Sequence, residues 1–286
     1  MNRKDLEKFI KESLYEDIKD GDHTSKAIIN TKVNEKAILI AKDTGIIAGI
    51  ELAHWIFEEV DKSLYFKSLF SDGDNIKKQD IIFEISGNPL SILKAERLVL
   101  NCMQNMSAIA TKTAYYKKLI NGTKTKILDT RKTTPLNRSI QKWAVQIGGA
   151  LNHRMGLYDM IMIKDNHIDF AGGIPNAIAL TKKYLKENKK DLDIIIETRN
   201  LNEIREVISI GGIQRILLDN FNFYDTKKAV SLINGVFETE SSGQINETNI
   251  KEYARCGVDY ISIGGLTHSI KNFDLSLKAI NHDKRN

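Results

Sequence analysis

The sequence has little proline and cysteine, and it has no long apolar run. Only 3 of its 286 residues are proline and 2 are cysteine, whereas 42% are hydrophobic and 28% are charged. No stretch reaches the roughly 18 apolar residues of a membrane-spanning helix, and residues 1–20 are too polar for a secretory signal. These absences exclude an integral membrane protein and a globally disordered chain. We expect a cytoplasmic globular protein in which Cys102 and Cys256 are reduced thiols.

The sequence also lacks a concentrated block of charge. Its 42 basic and 37 acidic residues give a net charge of +5, and the basic residues are spread along the chain. A nucleic-acid-binding protein is expected to gather basic residues in a stripe interleaved with aromatic ones. The mild positive excess therefore favours a small anionic ligand over a nucleic acid, and most lysines are expected on a solvated surface.

The first part of the chain mixes helices with short strands. Apolar spacing predicts helices over 2–19 and 50–60, and a long helical run begins after Asn88-Pro89, a typical helix start. Strand-like segments occupy 37–41, 64–69 and 81–85. We predict that residues 1–112 form an α/β sandwich domain that includes the long linking helix.

After Asn121-Gly122, short strands alternate with longer helices. The predicted strands are 125–129, 160–164, 194–198, 215–219, 236–240 and 260–263. The predicted helices are 136–147, 175–187, 201–209, 224–233, 247–256 and 272–280. This alternation indicates βα units around a parallel sheet, with six clear units and room for a seventh. No G-x-G-x-x-G is present, so we favour an incomplete parallel βα barrel over 113–270. A C-terminal helix over 271–286 is predicted to pack back on the first domain.

Positive charge concentrates after two consecutive predicted strands and in the glycine-rich loop between them. Arginine recognises carboxylates and phosphates with two parallel hydrogen bonds, and lysine adds a point charge. Any one of these side chains alone is more often a surface charge, but together they would repel one another unless an anion were bound. The group, with one threonine beside it, is Thr130, Arg131, Lys132, His153, Arg154 and Lys164. It predicts a site for a small ligand with several negative charges.

Acidic residues end other predicted strands. Glu197 and Asp219 end two consecutive strands and should therefore be neighbours at the mouth of a barrel. Two carboxylates beside a cationic pocket suggest a bound Mg²⁺ or hydrogen bonds to ribose hydroxyls. For either residue alone, a helix N-cap is about equally expected. Asp129 and Glu240 also end strands, where a barrel enzyme places functional groups, but the sequence assigns neither a particular role.

Glycine-rich loops follow two late strands. The first contains Ser242-Gly243 and the second contains Gly264-Gly265. Backbone N–H groups of such loops form a phosphate cup in many barrels.

These segments resemble the sequence blocks of the quinolinate phosphoribosyltransferase family. The matching blocks are Asp-Thr-Arg-Lys-Thr-Thr-Pro at 129–135, Gly-Gly at 148–149 with Asn-His-Arg-Met-Gly-Leu-Tyr-Asp at 152–159, and Ile-Lys-Asp-Asn-His-Ile at 163–168. Shorter matches occur at 21–25, 95–97, 217–221 and 266–269. The resemblance covers nearly the whole chain. It departs locally at Leu136 and Gln244, where the family commonly has glycine, at Ile195, which is often acidic, and at Gly265, often alanine.

The resemblance implies a reaction and its participants. Quinolinate and phosphoribosyl pyrophosphate would give nicotinate mononucleotide, pyrophosphate and CO₂, a step of NAD biosynthesis. It implies Lys132, Lys164, Glu197 and Asp219 as catalytic residues, and Mg²⁺ held by Glu197 and Asp219 directly or through water or substrate. It further implies a homodimer or larger assembly in which Arg97 reaches the quinolinate carboxylates of a neighbouring subunit.

Two other functions stay open at the level of the sequence. One is a related barrel phosphoribosyltransferase that acts on nicotinate or another anion. A substrate with one carboxylate would leave part of the cationic cluster without a partner, which disfavours this alternative. The other is a non-catalytic anion-binding module, because fold does not dictate function. The presence of both Glu197 and Asp219 disfavours that alternative.

Overall fold

The computed structural model describes residues 2–29 and 33–280, which contain helices and strands in alternating groups. The helices are α1 (Arg3–Ile18), α2 (His23–Ile28), α3 (Ile50–Val60), α4 (Pro89–Leu119), α5 (Arg138–Ile147), α6 (Asp165–Ala171), α7 (Ile174–Glu187), α8 (Leu201–Ile210), α9 (Phe223–Ile233), α10 (Ile250–Arg255) and α11 (Gly265–His268). The strands are β1 (Glu35–Ala41), β2 (Gly45–Ile46), β3 (Tyr65–Ser68), β4 (Asn75–Ile76), β5 (Ile81–Gly87), β6 (Lys126–Leu128), β7 (Ile161–Ile163), β8 (Ile194–Thr198), β9 (Arg215–Asp219), β10 (Glu238–Ser242), β11 (Tyr260–Ser262) and β12 (Leu275–Ala279).

The chain divides into two compact units. The first, the antiparallel unit, contains the described residues of 1–114, 134–149 and 269–286. The second, the parallel unit, contains residues 115–133 and 150–268. No helix within 2–29 or 33–280 combines the length and apolar character that a membrane span requires.

The antiparallel unit is built on a four-stranded sheet in the order β12-β1-β5-β3. Residues of β1 and β5 alternate between buried and partly exposed positions, as expected for a sheet with one covered face. Helix α3 covers that core with Ile56 and Phe57, and the Phe57 ring meets the Phe83 ring edge-on at 5.9 Å. The helix begins after Gly49, whose φ is +95°, and Asp72 Oδ1 accepts the Ile50 N–H at 2.8 Å. Burial of the apolar face of α3 therefore drives this layer together.

The parallel unit is built on a six-stranded sheet in the order β6-β11-β10-β9-β8-β7. Every pairing in this sheet is parallel, and β8 is buried along its whole length. Leu151 forms a single parallel bridge with Leu128 of β6. Within the described chain no ladder joins β6 to β7, so the barrel is incomplete. The predicted fold class, an N-terminal α/β domain followed by an incomplete parallel barrel, is confirmed.

The predicted C-terminal helix is wrong. Residues 275–279 form the strand β12, which pairs antiparallel with β1 from Ala37↔Ala279 to Ala41↔Leu275. Phe273 and Leu275 are buried while Asp274 between them is exposed, which is the two-residue period of a strand. Residues 281–286 of the predicted helix lie outside the described residues. The C-terminal segment thus joins the antiparallel unit by extending its sheet rather than by packing a helix on it.

The boundary predicted between the domains also differs from the observed units. The sequence places helix α5 within the barrel domain 113–270, but residues 134–149 belong to the antiparallel unit. Its Trp143 ring stacks on Trp55 at 5.7 Å, and a Cβ added at Gly148 would lie 2.6 Å from the Ala110 carbonyl oxygen of α4. The apolar face of α5 therefore finds its partners on α3 and α4, which alternation along the chain could not reveal.

Candidate active site

The carboxyl ends of the parallel strands surround a cavity of about 750 Å³. The site residues predicted from the sequence that line it are Thr130, Arg131, Lys132, His153, Arg154, Lys164, Glu197, Asp219, Ser242, Gly243, Gly264 and Gly265. Parallel strands bring their carboxyl ends to one edge, so residues distant in sequence become neighbours at this cavity. The structure thus brings these residues together, while the role of each stays a prediction.

Two arginines supply positive charge to the cavity. Arg131 follows β6, and its Nε is buried without a hydrogen-bond partner. Arg154 is 7% exposed, and its Nη1 donates a hydrogen bond to the Met160 carbonyl at 3.1 Å. Burial, and then the nearby Arg131, lower the pKa of Arg154, although a guanidinium remains charged in proteins. A buried donor with no acceptor beside a second guanidinium is suited to a carboxylate or a phosphate.

Lys132 is positioned by the loop and short helix that follow β11. The Thr267 hydroxyl donates to the Lys132 carbonyl at 2.7 Å. A Cβ added at Gly264 would lie 2.9 Å from Lys132 Cδ and 3.1 Å from the His268 ring. Gly264 is therefore required by the close approach of these two side chains.

The loops after β9 and β10 pack against each other at the same edge. The Asn220 N–H donates to the Ser242 carbonyl at 2.9 Å. Gly243 has a φ of +94°, and a Cβ there would lie 2.1 Å from Asn220 Oδ1. Gln244 follows with a φ of +51°, a conformation that glycine adopts more easily. Successive backbone amides in left-handed turns are suited to binding a phosphate group.

Lys164 and Glu197 form an ion pair that the sequence did not predict. Lys164 Nζ lies 2.6 Å from Glu197 Oε1, and the side chains are 45% and 11% exposed. The two residues come from the ends of β7 and β8, which are neighbours in the sheet. An anionic ligand at Lys164 must therefore compete with Glu197 for the ammonium group.

The two acids predicted for Mg²⁺ are already engaged by protein groups. Asp219 Oδ1 accepts from Ser242 Oγ and Oδ2 accepts from Asn220 Nδ2, both at 2.8 Å, while Glu197 binds Lys164. Among residues 2–29 and 33–280 no group of three or more histidine, cysteine, aspartate or glutamate residues could hold a metal ion. A Mg²⁺ ion at Glu197 and Asp219 would therefore need oxygens of the substrate phosphates and of water to complete its shell. Its binding stays a prediction.

Two buried acids that received no role from the sequence hold the segment of His153. Asp129 Oδ1 accepts the His153 backbone N–H at 2.8 Å. Glu240 Oε2 lies 3.4 Å from His153 Nε2. Burial alone would raise the pKa of Glu240, but His153 and Arg215 outweigh it and lower the pKa. Glu240 could have been found from its spacing, because it precedes Ser242 by two residues on β10 and faces the same side.

Arg97 is the predicted site residue that does not line this cavity. It lies on α4 in the antiparallel unit, where it lines a separate cavity of about 520 Å³ with Asn101, Asn105 and Asn137. Its role in the site of a neighbouring subunit stays a prediction.

The fold and the cavity define a class of protein. A parallel α/β sheet with cationic side chains and glycine-rich loops at its carboxyl edge is typical of barrel enzymes that act on small, multiply charged anions. The chain belongs to the quinolinate phosphoribosyltransferase family. The model of the family's C-terminal domain matches residues 109–278, and that of its N-terminal domain matches residues 22–107. The resemblance found in the sequence blocks is thereby confirmed.

The similarity extends over nearly the whole length of several relatives. A chloroplastic nicotinate-nucleotide pyrophosphorylase (carboxylating) of Arabidopsis thaliana is 45% identical over 96% of this chain and 82% of its own. A probable nicotinate-nucleotide pyrophosphorylase (carboxylating) of Bacillus subtilis is 38% identical over 97% of this chain and 94% of its own. The crystal structure of NadC from Streptococcus pyogenes superposes with a TM-score of 0.92 at 35% identity, covering 98% of this chain and 99% of that one.

Proposed function

We propose that this protein transfers the phosphoribosyl group of phosphoribosyl pyrophosphate to the ring nitrogen of quinolinate, with loss of CO₂. The products are nicotinate mononucleotide and pyrophosphate, which places the reaction in NAD biosynthesis. The observation that carries the proposal is the buried Arg131 Nε without a hydrogen-bond partner, in the cavity that Arg154 and Lys164 also line. Family membership supports it, since the Arabidopsis and Bacillus relatives carry this activity in their names.

The dicarboxylate is proposed to bind at the cationic side of the cavity. Arg131 and Arg154 offer donors to one carboxylate, with Thr130 and His153 beside them, and Lys164 faces the other. A carboxylate that reaches Lys164 takes the place of Glu197, which is 2.6 Å from the ammonium group in the free protein. Binding of quinolinate would thus release Glu197 for the sugar hydroxyls or for Mg²⁺.

The sugar and its phosphates are proposed to bind at the glycine-rich side. Backbone amides at Ser242-Gly243 and Gly264-Gly265 would meet the 5′-phosphate, and Lys132 would lie near the pyrophosphate. Glu197 and Asp219 would hold Mg²⁺ through the substrate oxygens and water. When bound, this ion would neutralise charge on the leaving pyrophosphate.

The protein contributes position and charge to the chemistry. The pyridine nitrogen attacks the anomeric carbon while the bond between that carbon and pyrophosphate breaks. The transition state resembles an oxocarbenium ion, and charged groups held in fixed positions stabilise it. The ring becomes a pyridinium, which stabilises the electron pair left on the ring carbon when the adjacent carboxylate departs as CO₂. A proton from water then binds to that carbon and completes nicotinate mononucleotide. Lys164 acts as a fixed cation beside that carboxylate. No nucleophilic thiol is used, and burial raises the pKa of Cys102 to about 12.

A shared active site in a homodimer or larger assembly is part of the proposal. Arg97 lies outside the cavity of the parallel unit, on a helix with the polar neighbours Asn101 and Asn105. In a dimer it could reach the quinolinate carboxylates of the neighbouring subunit. Mixing inactive Arg97→Ala with inactive Lys164→Ala subunits should restore activity, because some mixed dimers then contain one intact site. No recovery under conditions shown to exchange subunits would refute the shared site.

One incubation tests the reaction itself. Purified protein with quinolinate, phosphoribosyl pyrophosphate and Mg²⁺ should form nicotinate mononucleotide and CO₂ in equal amounts. Nicotinate in place of quinolinate separates this reaction from that of a related transferase. Product from nicotinate alone would overturn the choice of substrate, and binding of both ligands without any product would indicate an anion-binding module.

The location proposed for the protein is the cytoplasm. Cys102 and Cys256 are free thiols, which suits a reducing compartment. Several plant relatives are instead named as mitochondrial or chloroplastic proteins. Fractionation of cells that produce the tagged chain would test the proposal, and recovery in an organelle fraction would refute it.

A further inference from the structure

Charged side chains connect the amino ends of the central parallel strands with the cavity. Arg215, the first residue of β9, donates from Nε and Nη2 to Glu238 Oε2 at 3.1 and 2.9 Å. Its Nη1 donates to Glu240 Oε2 at 2.8 Å. The guanidinium lies 3.8 Å from the centroid of the Tyr260 ring, and the Tyr260 hydroxyl donates to Glu238 Oε1 at 3.0 Å. We call these four side chains the barrel ion column.

The barrel ion column ends at the His153 ring. His153 Nε2 lies 3.4 Å from Glu240 Oε2, and the two side chains are 5% and 0% exposed. On the other side of the ring, Nδ1 accepts the backbone N–H of Arg154 at 2.7 Å. An imidazole nitrogen that accepts from an N–H carries no proton. This contact leaves Nε2, the nitrogen that faces Glu240, as the position for the ring proton.

The charge state of Glu240 explains this choice of tautomer. A buried carboxyl group without partners would tend to be protonated, but Arg215 and His153 together hold the pKa of Glu240 below its ordinary value. An ionised carboxylate is only an acceptor, so it favours a proton on the ring nitrogen that faces it. Nδ1 is then free of a proton and can accept from Arg154. In an imidazolium, Nδ1 would carry a proton that points at the Arg154 N–H, and two donors would face each other without an acceptor.

We propose that Glu240 is a positioning residue that holds His153 as the neutral Nε2–H tautomer. His153 then serves the site by fixing the backbone of Arg154, and it does not act as a further cation for a substrate carboxylate. Positive charge toward quinolinate comes from Arg131, Arg154 and Lys164. The inference rests on the proposed function, because it states which groups meet the dicarboxylate.

Nuclear magnetic resonance of the unmodified protein tests the tautomer directly. Protein labelled with ¹⁵N in its 6 histidines gives ring nitrogen shifts that distinguish Nε2–H, Nδ1–H and imidazolium forms. The His153 signals are those that disappear in His153→Asn. We expect the Nε2–H form both in the free protein and with quinolinate alone, which cannot react without the second substrate. An Nδ1–H ring, or an imidazolium formed when quinolinate binds, would overturn the proposal.

Two substitutions of Glu240 test its positioning role. Glu240→Gln keeps an oxygen that can accept from both Arg215 and His153, whereas Glu240→Leu has similar size and no acceptor. We expect Glu240→Leu to raise the KM for quinolinate about 10-fold while kcat and the KM for phosphoribosyl pyrophosphate change less than about 3-fold. Glu240→Gln should stay within about 3-fold of the wild type in all three constants. The matched control is Glu206→Gln, which removes an exposed carboxylate from α8 and should change nothing.

Substitutions of His153 keep the test decisive if Glu240→Leu does not fold. The Oδ1 of His153→Asn can still accept the Arg154 N–H, whereas His153→Leu cannot. We expect the asparagine variant to retain a KM for quinolinate at least about 5-fold lower than that of the leucine variant. Equal losses in both variants would indicate a cationic role for His153 and overturn the proposal. A wild type with no turnover of quinolinate would refute the proposed function, while the tautomer measured in the free protein would still stand.

Discussion

Two cavities of nearly equal volume lie at opposite ends of the parallel sheet, and they differ in how their charges are paired. The cavity at the amino ends measures about 740 Å³ and the one at the carboxyl ends about 750 Å³. At the amino ends, Lys124 Nζ lies 2.7 Å from Asp259, and Arg215 binds Glu238. At the carboxyl ends, Arg131 Nε is buried without a hydrogen-bond partner. Cavity volume alone therefore does not distinguish a ligand-binding site from a structural cleft. A buried hydrogen-bond donor without a partner does distinguish them.

The largest expected effect belongs to Lys164 at the carboxyl end. Lys164→Ala should lower kcat/KM for quinolinate by about 10²- to 10³-fold, because a carboxylate loses its counter-charge in a partly buried site. Lys164→Arg should recover only part of this loss, since the planar guanidinium group of arginine differs in shape from the compact ammonium group of lysine. Steady-state kinetics with both substrates gives the comparison.

The matched control for Lys164 is at the other end of the sheet. Lys124→Ala also breaks an ion pair, with Asp259, yet it should leave kcat/KM within about 2-fold because such pairs contribute mainly to stability. Near-wild-type turnover by Lys164→Ala would remove this residue from the mechanism. Borohydride trapping of a covalent adduct on Lys164 would replace its electrostatic role by Schiff-base chemistry.

A smaller effect is expected when the close approach at Gly264 is filled. Gly264→Ala places a Cβ 2.9 Å from Lys132 Cδ, so Lys132 must move. We expect the KM for phosphoribosyl pyrophosphate to rise about 10-fold with less change in the KM for quinolinate. Gly257→Ala is the control at the amino-end cavity, where a φ of +86° predicts a loss of about 1 kcal/mol in stability and unchanged KM values. Equal KM values for wild type and Gly264→Ala would contradict the proposed position of Lys132.

Replacement of Gln244 tests the departure from the family sequence. At the φ of +51° that Gln244 adopts, a residue with a side chain is destabilised by about 1–2 kcal/mol. Glycine avoids this cost, but it loses about 0.5–1 kcal/mol because its unfolded state has more conformational entropy. Gln244→Gly should therefore raise the free energy of unfolding in urea by up to about 1 kcal/mol. Leu136→Gly, at a φ of +64°, should behave alike. Lys251→Gly within α10 should instead destabilise the protein, and stabilisation there would undermine the conformational argument.

The smallest effect concerns the pH dependence of the amino-end pair. Burial opposes ionisation of Asp259, but hydrogen bonds from Lys124 and Thr239 outweigh it and lower its pKa below the ordinary 3.8. A lowered carboxyl pKa contributes stability above the ordinary value, and this contribution disappears as the pH falls through the folded-state pKa. Lys124→Ala should therefore lose less stability than the wild type between about pH 5 and pH 3, by at most about 1 kcal/mol. Unfolding in urea at several pH values measures this, and equal losses would refute it.

Most of the candidate site could be predicted from the sequence, because a parallel sheet brings the residues that follow its strands to one edge. Once β6 to β11 are recognised, Arg131, Lys164, Glu197 and Asp219 must meet at the carboxyl edge. Their pairing could not be predicted in this way. Register along a strand does not say that Lys164 and Glu197 bind each other, because this depends on side-chain rotamers.

The two errors in the fold have different origins. The segment after Asn272 contains apolar residues at Phe273, Leu275 and Leu277, a two-residue period that indicates a strand. The alternation of the preceding units favours a helix at this place instead, and that prediction is wrong. Helix α5 is displaced to the antiparallel unit by contacts such as Trp55 with Trp143. Tertiary packing over a long sequence separation decided the position of α5, and local patterns contain little of that information.

The pairing of β12 with β1 has a consequence for how the chain matures during synthesis. The ribosome makes β1, β5 and β3 early, then the whole parallel unit, and only afterwards the strand that covers the edge of β1. Until then β1 exposes a row of backbone N–H and C=O groups, a surface on which other nascent chains can assemble. The parallel unit, whose strands are all made between residues 126 and 262, can complete its own sheet sooner. The sheet whose first strands are translated earliest is thus the last to receive all of its strands.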